Sequence, residues 1–221
     1  MEGLIEKPHI IRVDTEDNLR AGLSKAKGIL LSGGIVAFPT ESFYGLAVNS
    51  TDEKAIRRLF TIKRRESDHP VLILIPNLDA LDLYVDQVPK NTLKLIDQFW
   101  PGGLTLVFKA GPNVSPLLTA GTGKIGIRLS SHSVATSLAQ SIGLPITGTS
   151  ANITGQPACI NAQEVYNSLG HRVDLILDGG ETAGGKGSTI LDVSVTPPVI
   201  MREGMISRDR LRQLIDLTDF C

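Results

Sequence analysis

Apolar positions along the chain recur with two alternating periods, and these set out the elements. In DTEDNLRAGLSKAKGILLSGG, Leu19, Leu23, Ala26 and Leu30 share one face at helical spacing. Asp14 or Thr15 can cap that helix, and Gly33-Gly34 ends it. IVAFP is a continuous apolar run ending at Pro39, the mark of a buried strand. TDEKAIRRLFTIKRR predicts a second helix, capped by Thr51, with Ala55, Leu59 and Ile62 inward. VLILIP reads as a buried strand, and PKNTLKLIDQFW as a helix with Pro89 near its start. LTLVFK and KIGIRL read as strands, SVATSLAQSIG as a helix stopped at Gly143, and LPIT as a short strand. NAQEVYNSLG comes next as a helix capped by Asn161, then strands VDLILD, STILDV and PVIMR, and a closing amphipathic helix SRDRLRQLIDL.

Strands and helices alternate with no Pro/Ser-rich linker and no internal repeat. The pattern predicts one α/β domain over residues 1–221. Its sheet is expected to be mixed, because late strands follow one another without helices between them.

Composition narrows the function classes. Hydrophobic residues make up 42% of the chain, as in an ordinary globular protein. A net charge of -1 supplies no global field for nucleic acid or an anionic membrane, so any phosphate site must be a local cluster. The first residues, MEGLIEKPHIIRV, carry acids and a proline where a signal peptide needs an apolar run. No stretch reaches the roughly 18 apolar residues of a spanning helix. The expectation is a cytoplasmic chain without membrane contact, which discounts the sequons at Asn113 and Asn152. Cys159 and Cys221 are too few for a disulfide framework and lack metal spacing. Cys221, the last residue, is expected as a free thiol in a frayed tail. His9, His69, His132 and His171 show no zinc spacing.

Four polar stretches could carry chemistry. FPTESFYGLA comes after a strand end, where α/β sheets place ligands, and presents Thr40, Glu41, Ser42 and Tyr44. The same residues would also serve as a helix start, with Thr40 as cap. KRRESDHP closes the second helix; Arg57, Arg58, Lys63, Arg64 and Arg65 crowd its end. A solvated helix terminus would explain them. If the segment is extended, Lys63 and Arg65 point the same way and need an anion between them. TSANITG offers Ser150 and Asn152 after a short strand. GGETAGGKGSTILDV approximates a P-loop, but Gly187 stands where the hydroxyl belongs and a strand succeeds it instead of a helix. It reads as a mobile connection able to act as a lid. Arg128 and Arg202, in or after strands, each call for an acidic partner or an anionic ligand.

Read in order, these stretches resemble the threonylcarbamoyl-AMP synthase (YrdC-like) family. The matching pieces are FPTESFYGL, Lys63-x-Arg65 with HPVLILI, FWPGGLTLVF, IGIRL, TSANITG, GSTILDV and VIMREGMI, over about residues 30–208. The resemblance implies a twisted, mostly mixed sheet flanked by helices around a deep central cavity. It implies a nucleotidyltransferase that condenses L-threonine, bicarbonate and ATP into threonylcarbamoyl-AMP and releases pyrophosphate, for threonylcarbamoyladenosine modification of tRNA. A partner complex would take the product to tRNA, so tRNA contact by this chain is expected to be weak or indirect.

By the same match, Lys63 and Arg65 are the catalytic cations. Lys63, Arg65, Ser150, Asn152 and Arg202 bind ATP; Thr40, Arg128 and Ser188 hold threonine; Tyr44 and His69 are further candidates for the pocket. Mg²⁺ is expected with ATP, without direct protein ligands. Two departures stand out. Glu66 comes after Arg65 where the family has proline, and WPGG replaces WPGP. Glu66 motivates an alternative, a paralogue with weak or different activity. A double-stranded RNA or tRNA-binding module built on residues 57–65 is another, against which the near-zero net charge speaks.

Overall fold

A computed structural model describes residues 9–66 and 69–217. The elements run β1 (His9–Arg12), α1 (Glu16–Leu31), β2 (Val36–Pro39), β3 (Tyr44–Ala47), α2 (Glu53–Lys63), β4 (Ile73–Leu74), α3 (Leu93–Phe99), β5 (Leu104–Lys109) and α4 (Pro116–Thr119). They continue with β6 (Lys124–Arg128), α5 (Ser133–Ile142), β7 (Ile146–Thr147), β8 (Thr149–Ser150), α6 (Ala162–Leu169), β9 (Leu175–Asp178), β10 (Thr189–Asp192), β11 (Val199–Arg202) and α7 (Arg208–Arg212). Cys221 lies outside the described residues. No described helix is long and apolar enough to cross a membrane.

Helix starts reflect local chemistry. Thr15 caps α1 by accepting from the Asn18 N–H at 3.2 Å. In α2 the cap is Asp52 and not Thr51: the Asp52 carboxylate accepts from the N–H groups of Lys54 and Ala55 at 2.9 and 3.2 Å. Thr51 instead donates its hydroxyl to Asn49. Residues 40–44 form no helix start. Thr40 donates both its N–H and its hydroxyl to Phe43 O, closing a tight hairpin between β2 and β3.

The strands form two mixed sheets where the pattern predicts one. The first has the order β1-β9-β2-β3-β8, the second β11-β10-β5-β6-β4-β7. Both mix parallel and antiparallel pairs. VLILIP contributes only Ile73 and Leu74 to the ladder. One apolar cluster sits where α1 and α5 cover the first sheet, joining Ala26, Leu30, Leu138 and Phe38. The larger cluster joins both sheets to α2, α3 and α6 through Leu59, Phe99, Trp100, Leu106 and Val165.

The chain crosses between the sheets three times, from β3 to β4 through α2, from β7 to β8 and from β9 to β10, and these crossings bring polar loops together. It leaves β7 in the second sheet and enters β8 in the first through Gly148. A Cβ there would sit 2.5 Å from Leu72 Cδ1 and 3.0 Å from Leu74 Cγ, so the close approach requires glycine. Residues 179–188 make the opposite crossing, from β9 to β10.

Candidate active site

Four connections ring a cavity of about 300 Å³: the β2–β3 hairpin, the stretch after α2, the Gly148 crossing and the end of the 179–188 crossing. Seven of the residues that the family resemblance assigns to the site line it, Thr40, Tyr44, Arg65, Arg128, Ser150, Ser188 and Arg202, together with Ser42 of the same hairpin. They come from both sheets and all four connections, so the fold itself creates the juxtaposition.

The end of α2 decides how the first basic pair is used. Arg64 takes the left-handed conformation (φ 49°), with the Arg64 and Arg65 N–H groups donating back to Thr61 and Phe60 carbonyls. This αL termination reverses the chain between Lys63 and Arg65. The two side chains therefore do not point the same way. Arg65 reaches the cavity, its guanidinium also donating to the His69 and Pro70 carbonyls at 3.1 and 2.7 Å. Lys63, only 1% exposed, does not line the cavity. Its ammonium donates to the Ser150 carbonyl at 2.5 Å and the Asn152 carbonyl at 2.8 Å. Burial first, and then the neighbouring Arg65 charge, push the Lys63 pKa down to about 7.

Asn152 also stands behind the wall. Its amide donates to Ile153 and Gln156 carbonyls at 3.0 and 2.6 Å, closing the turn after Ser150. At 6% exposure it offers no acceptor surface for a glycan. His69 is exposed and is not among the lining residues; it meets Arg65 through its backbone carbonyl. Tyr44 lines the cavity, but its hydroxyl donates to Gly180 O at 2.8 Å and accepts from Gly179 N–H at 3.2 Å. Burial and nearby Asp178 raise its pKa to about 12, so the phenol stays protonated.

Arg128 enters from the end of β6 with its side chain 5% exposed. Its partner is Glu41, 3.4 Å away and itself held by the Ser130 hydroxyl at 2.6 Å. Burial lowers the Arg128 pKa, Glu41 counteracts that, and Arg202 adds to it. Glu41 is the polar residue whose role the sequence reading missed; its only signal is its place between Thr40 and Ser42. Arg202, at the end of β11, donates to the Ser188 carbonyl at 2.8 Å. Ser188 Oγ lies 2.9 Å from the buried Thr105 hydroxyl, which fixes its rotamer.

The glycine-rich 179–188 connection runs into a strand, as its sequence suggests, and provides no helix N-terminus for phosphates. It is tied down by Gly184 N–H donating to Ser42 O at 2.7 Å and by Thr182 bonding Ile160 O.

Three guanidiniums, Arg65, Arg128 and Arg202, thus open on one small cavity; among the described residues no carboxylate lines it directly, and Glu41 backs Arg128 at 3.4 Å. Their fork-shaped donors suit carboxylate and phosphate oxygens. Among the described residues no group of three His, Cys, Asp or Glu side chains could hold a metal ion.

Comparison with known proteins gives a consistent answer. The profile of the Sua5/YciO/YrdC family, described as Telomere recombination, matches residues 28–204. The chain is 36% identical over 190 residues to the threonylcarbamoyl-AMP synthase of Pyrococcus abyssi, covering 86% of this chain and 56% of that protein. It is 35% identical over 207 residues to the enzyme of the same name from Bacillus subtilis, covering 92% of this chain and 60% of that protein. The crystal structure of P. abyssi Sua5 complexed with L-threonine superposes with a TM-score of 0.87 at 33% identity, over 95% of this chain and 62% of that one. The chain therefore spans less than two thirds of the length of these relatives.

Proposed function

Because the chain belongs to the Sua5/YciO/YrdC family, we propose that it is a nucleotidyltransferase making threonylcarbamoyl-AMP from L-threonine, bicarbonate and ATP. The observation that carries this reading is the convergence of Arg65, Arg128 and Arg202 with the Ser150 and Ser188 hydroxyls on one cavity. The relative solved with L-threonine supports an amino acid in that cavity.

The reaction brings an anion towards an anion. The threonine amine forms a bond to the carbonate carbon and, with loss of water, becomes a carbamate. A carbamate oxygen then attacks the α-phosphorus; the new P–O bond forms as the α–β bridge breaks, and pyrophosphate leaves. In this reading Arg128 holds the threonine carboxylate, with Thr40 and Ser188 beside it. Arg65, Ser150 and Arg202 face the triphosphate. Their work is positioning and charge neutralisation, which is what the wall's chemistry offers. Mg²⁺ would supply further shielding of the phosphates. Among the described residues the lining is hydroxyls and guanidiniums with no carboxylate, which fits an ion carried by the nucleotide.

Residues 1–221 would act as one catalytic unit in the cytoplasm and hand the adenylate to a complex that modifies tRNA. Pyrophosphate release, monitored with ATP, threonine and bicarbonate and with each omitted in turn, tests the proposal. Release is expected only when all three are present. Release that ignores threonine or bicarbonate would show the reading wrong.

A further inference from the structure

Lys63 and Ser150 come from segments far apart in sequence, yet three hydrogen bonds join Lys63 to the turn that Ser150 begins. Lys63 Nζ donates to the Ser150 carbonyl at 2.5 Å and to the Asn152 carbonyl at 2.8 Å. The Thr154 N–H donates back to the Lys63 carbonyl at 2.8 Å. Few other backbone hydrogen bonds reach the turn from outside, although Ala151 is buried in the larger core and Ile153 packs against it. Strand β8 is two residues long, and Ala151 N–H adds one bond to Tyr44 O. The Asn152 amide closes the turn internally, on Ile153 and Gln156.

A phosphate ligand needs its ammonium on the cavity wall. Lys63 is 1% exposed and off that wall, whereas Ser150 is on it. An amine buried this deeply must spend its donors on acceptors. Among the described residues no carboxylate lies within ion-pair distance of it, and its acceptors are the two carbonyls flanking Ala151. We infer that Lys63 is a positioning residue that clamps the 150–154 turn and so holds the Ser150 hydroxyl in the phosphate wall. The kinetic half of this inference rests on the proposed synthase reading; the structural half does not.

Two variants separate the roles. Lys63→Met removes the donors. Lys63→Arg keeps the charge, but a planar fork cannot replace a tetrahedral ammonium between two carbonyls. Hydrogen–deuterium exchange of the protein without ligands is expected to speed up at residues 151–156 by about tenfold or more in both, with β5 and β6 unchanged. The ATP dissociation constant, by calorimetry, should rise about tenfold in both, while the KM for L-threonine stays within about twofold. Ser150→Ala keeps the carbonyl that Lys63 grips, so it should weaken ATP binding without changing exchange.

Unchanged exchange in Lys63→Met with ATP binding lost, or ATP binding restored by Lys63→Arg, would make Lys63 a phosphate ligand and overturn the inference. Faster exchange with ATP affinity intact would overturn it from the other side. If the parent protein released no pyrophosphate, the synthase reading would fail, while exchange and ATP binding would still decide the role of Lys63.

Discussion

Glu41 Oε1 lies 3.4 Å from Arg128 Nη1, in a pair whose side chains are 9% and 5% exposed. Glu41 rides on the hairpin of the first sheet and Arg128 ends β6 of the second, so the pair spans the two sheets at the cavity wall. Removing one member of such a pair strands a buried charge. Glu41→Ala should lose about 3–5 kcal/mol of stability in urea unfolding. The double variant Glu41→Ala/Arg128→Met should be more stable than Glu41→Ala alone. A loss near zero in the single variant would mean that Arg128 is compensated elsewhere.

Arg65 reaches the cavity from a half-exposed position after α2. Its removal should therefore cost rate and leave the fold. Arg65→Ala is expected to lose about 2–4 kcal/mol of transition-state stabilisation, a fall of about thirty- to a thousandfold in pyrophosphate release. The urea midpoint should move little. A large drop in midpoint with the rate retained would assign Arg65 to the fold.

Two glycines predict opposite outcomes. A Cβ on Gly204 would collide with the Gly187 carbonyl oxygen and lie 2.6 Å from Ser188 C, backbone against backbone. Gly204→Ala must displace Gly187 and Ser188, costing about 2–3 kcal/mol and the thermal stabilisation by L-threonine. Gly28, exposed inside α1, has nothing within 4 Å of its would-be Cβ. Gly28→Ala should stabilise by about 0.5–1 kcal/mol. Thermal melts with and without threonine check both.

Where local pattern decides, the sequence is legible. The apolar faces of α1 and α2, the Asn161 cap and the strand after the glycine-rich crossing all arise from spacing and propensity. Lys63 shows where legibility stops. Its sequence spacing from Arg65 suggests two convergent cations; the left-handed Arg64 between them turns one inward. An arginine carries no signal for that conformation, since glycine or asparagine is the usual choice. The second sheet is hidden for a related reason: strands of two residues, such as β7 and β8, have no period to read, yet they switch the chain between sheets. The pairing of Glu41 with Arg128 joins residues 87 positions apart through tertiary structure alone. What recognition of the motifs supplies, and propensity cannot, is the expectation that these scattered polar groups share one cavity.

The buried Lys63 amine makes stability depend on pH in a defined direction. Burial and Arg65 lower its pKa from 10.5 to about 7 in the folded chain. Between those values the unfolded chain binds more protons, so stability rises with pH there, and the cost of burying the charge is fully present below about 7. Cys159 works the other way. Burial and Glu164 raise its pKa from 9.0 to about 11, which favours the folded state less and less as pH climbs above 9. The clean window is therefore pH 7 to 9. Urea unfolding across it should show stability increasing in the parent protein, and a flatter profile in Lys63→Met, which has no proton to lose. The slope should reappear in neither Lys63→Met nor Lys63→Arg, because arginine remains charged throughout. A parent profile that falls with pH in this window would mean that the two carbonyl acceptors of Lys63 hold its charge against burial.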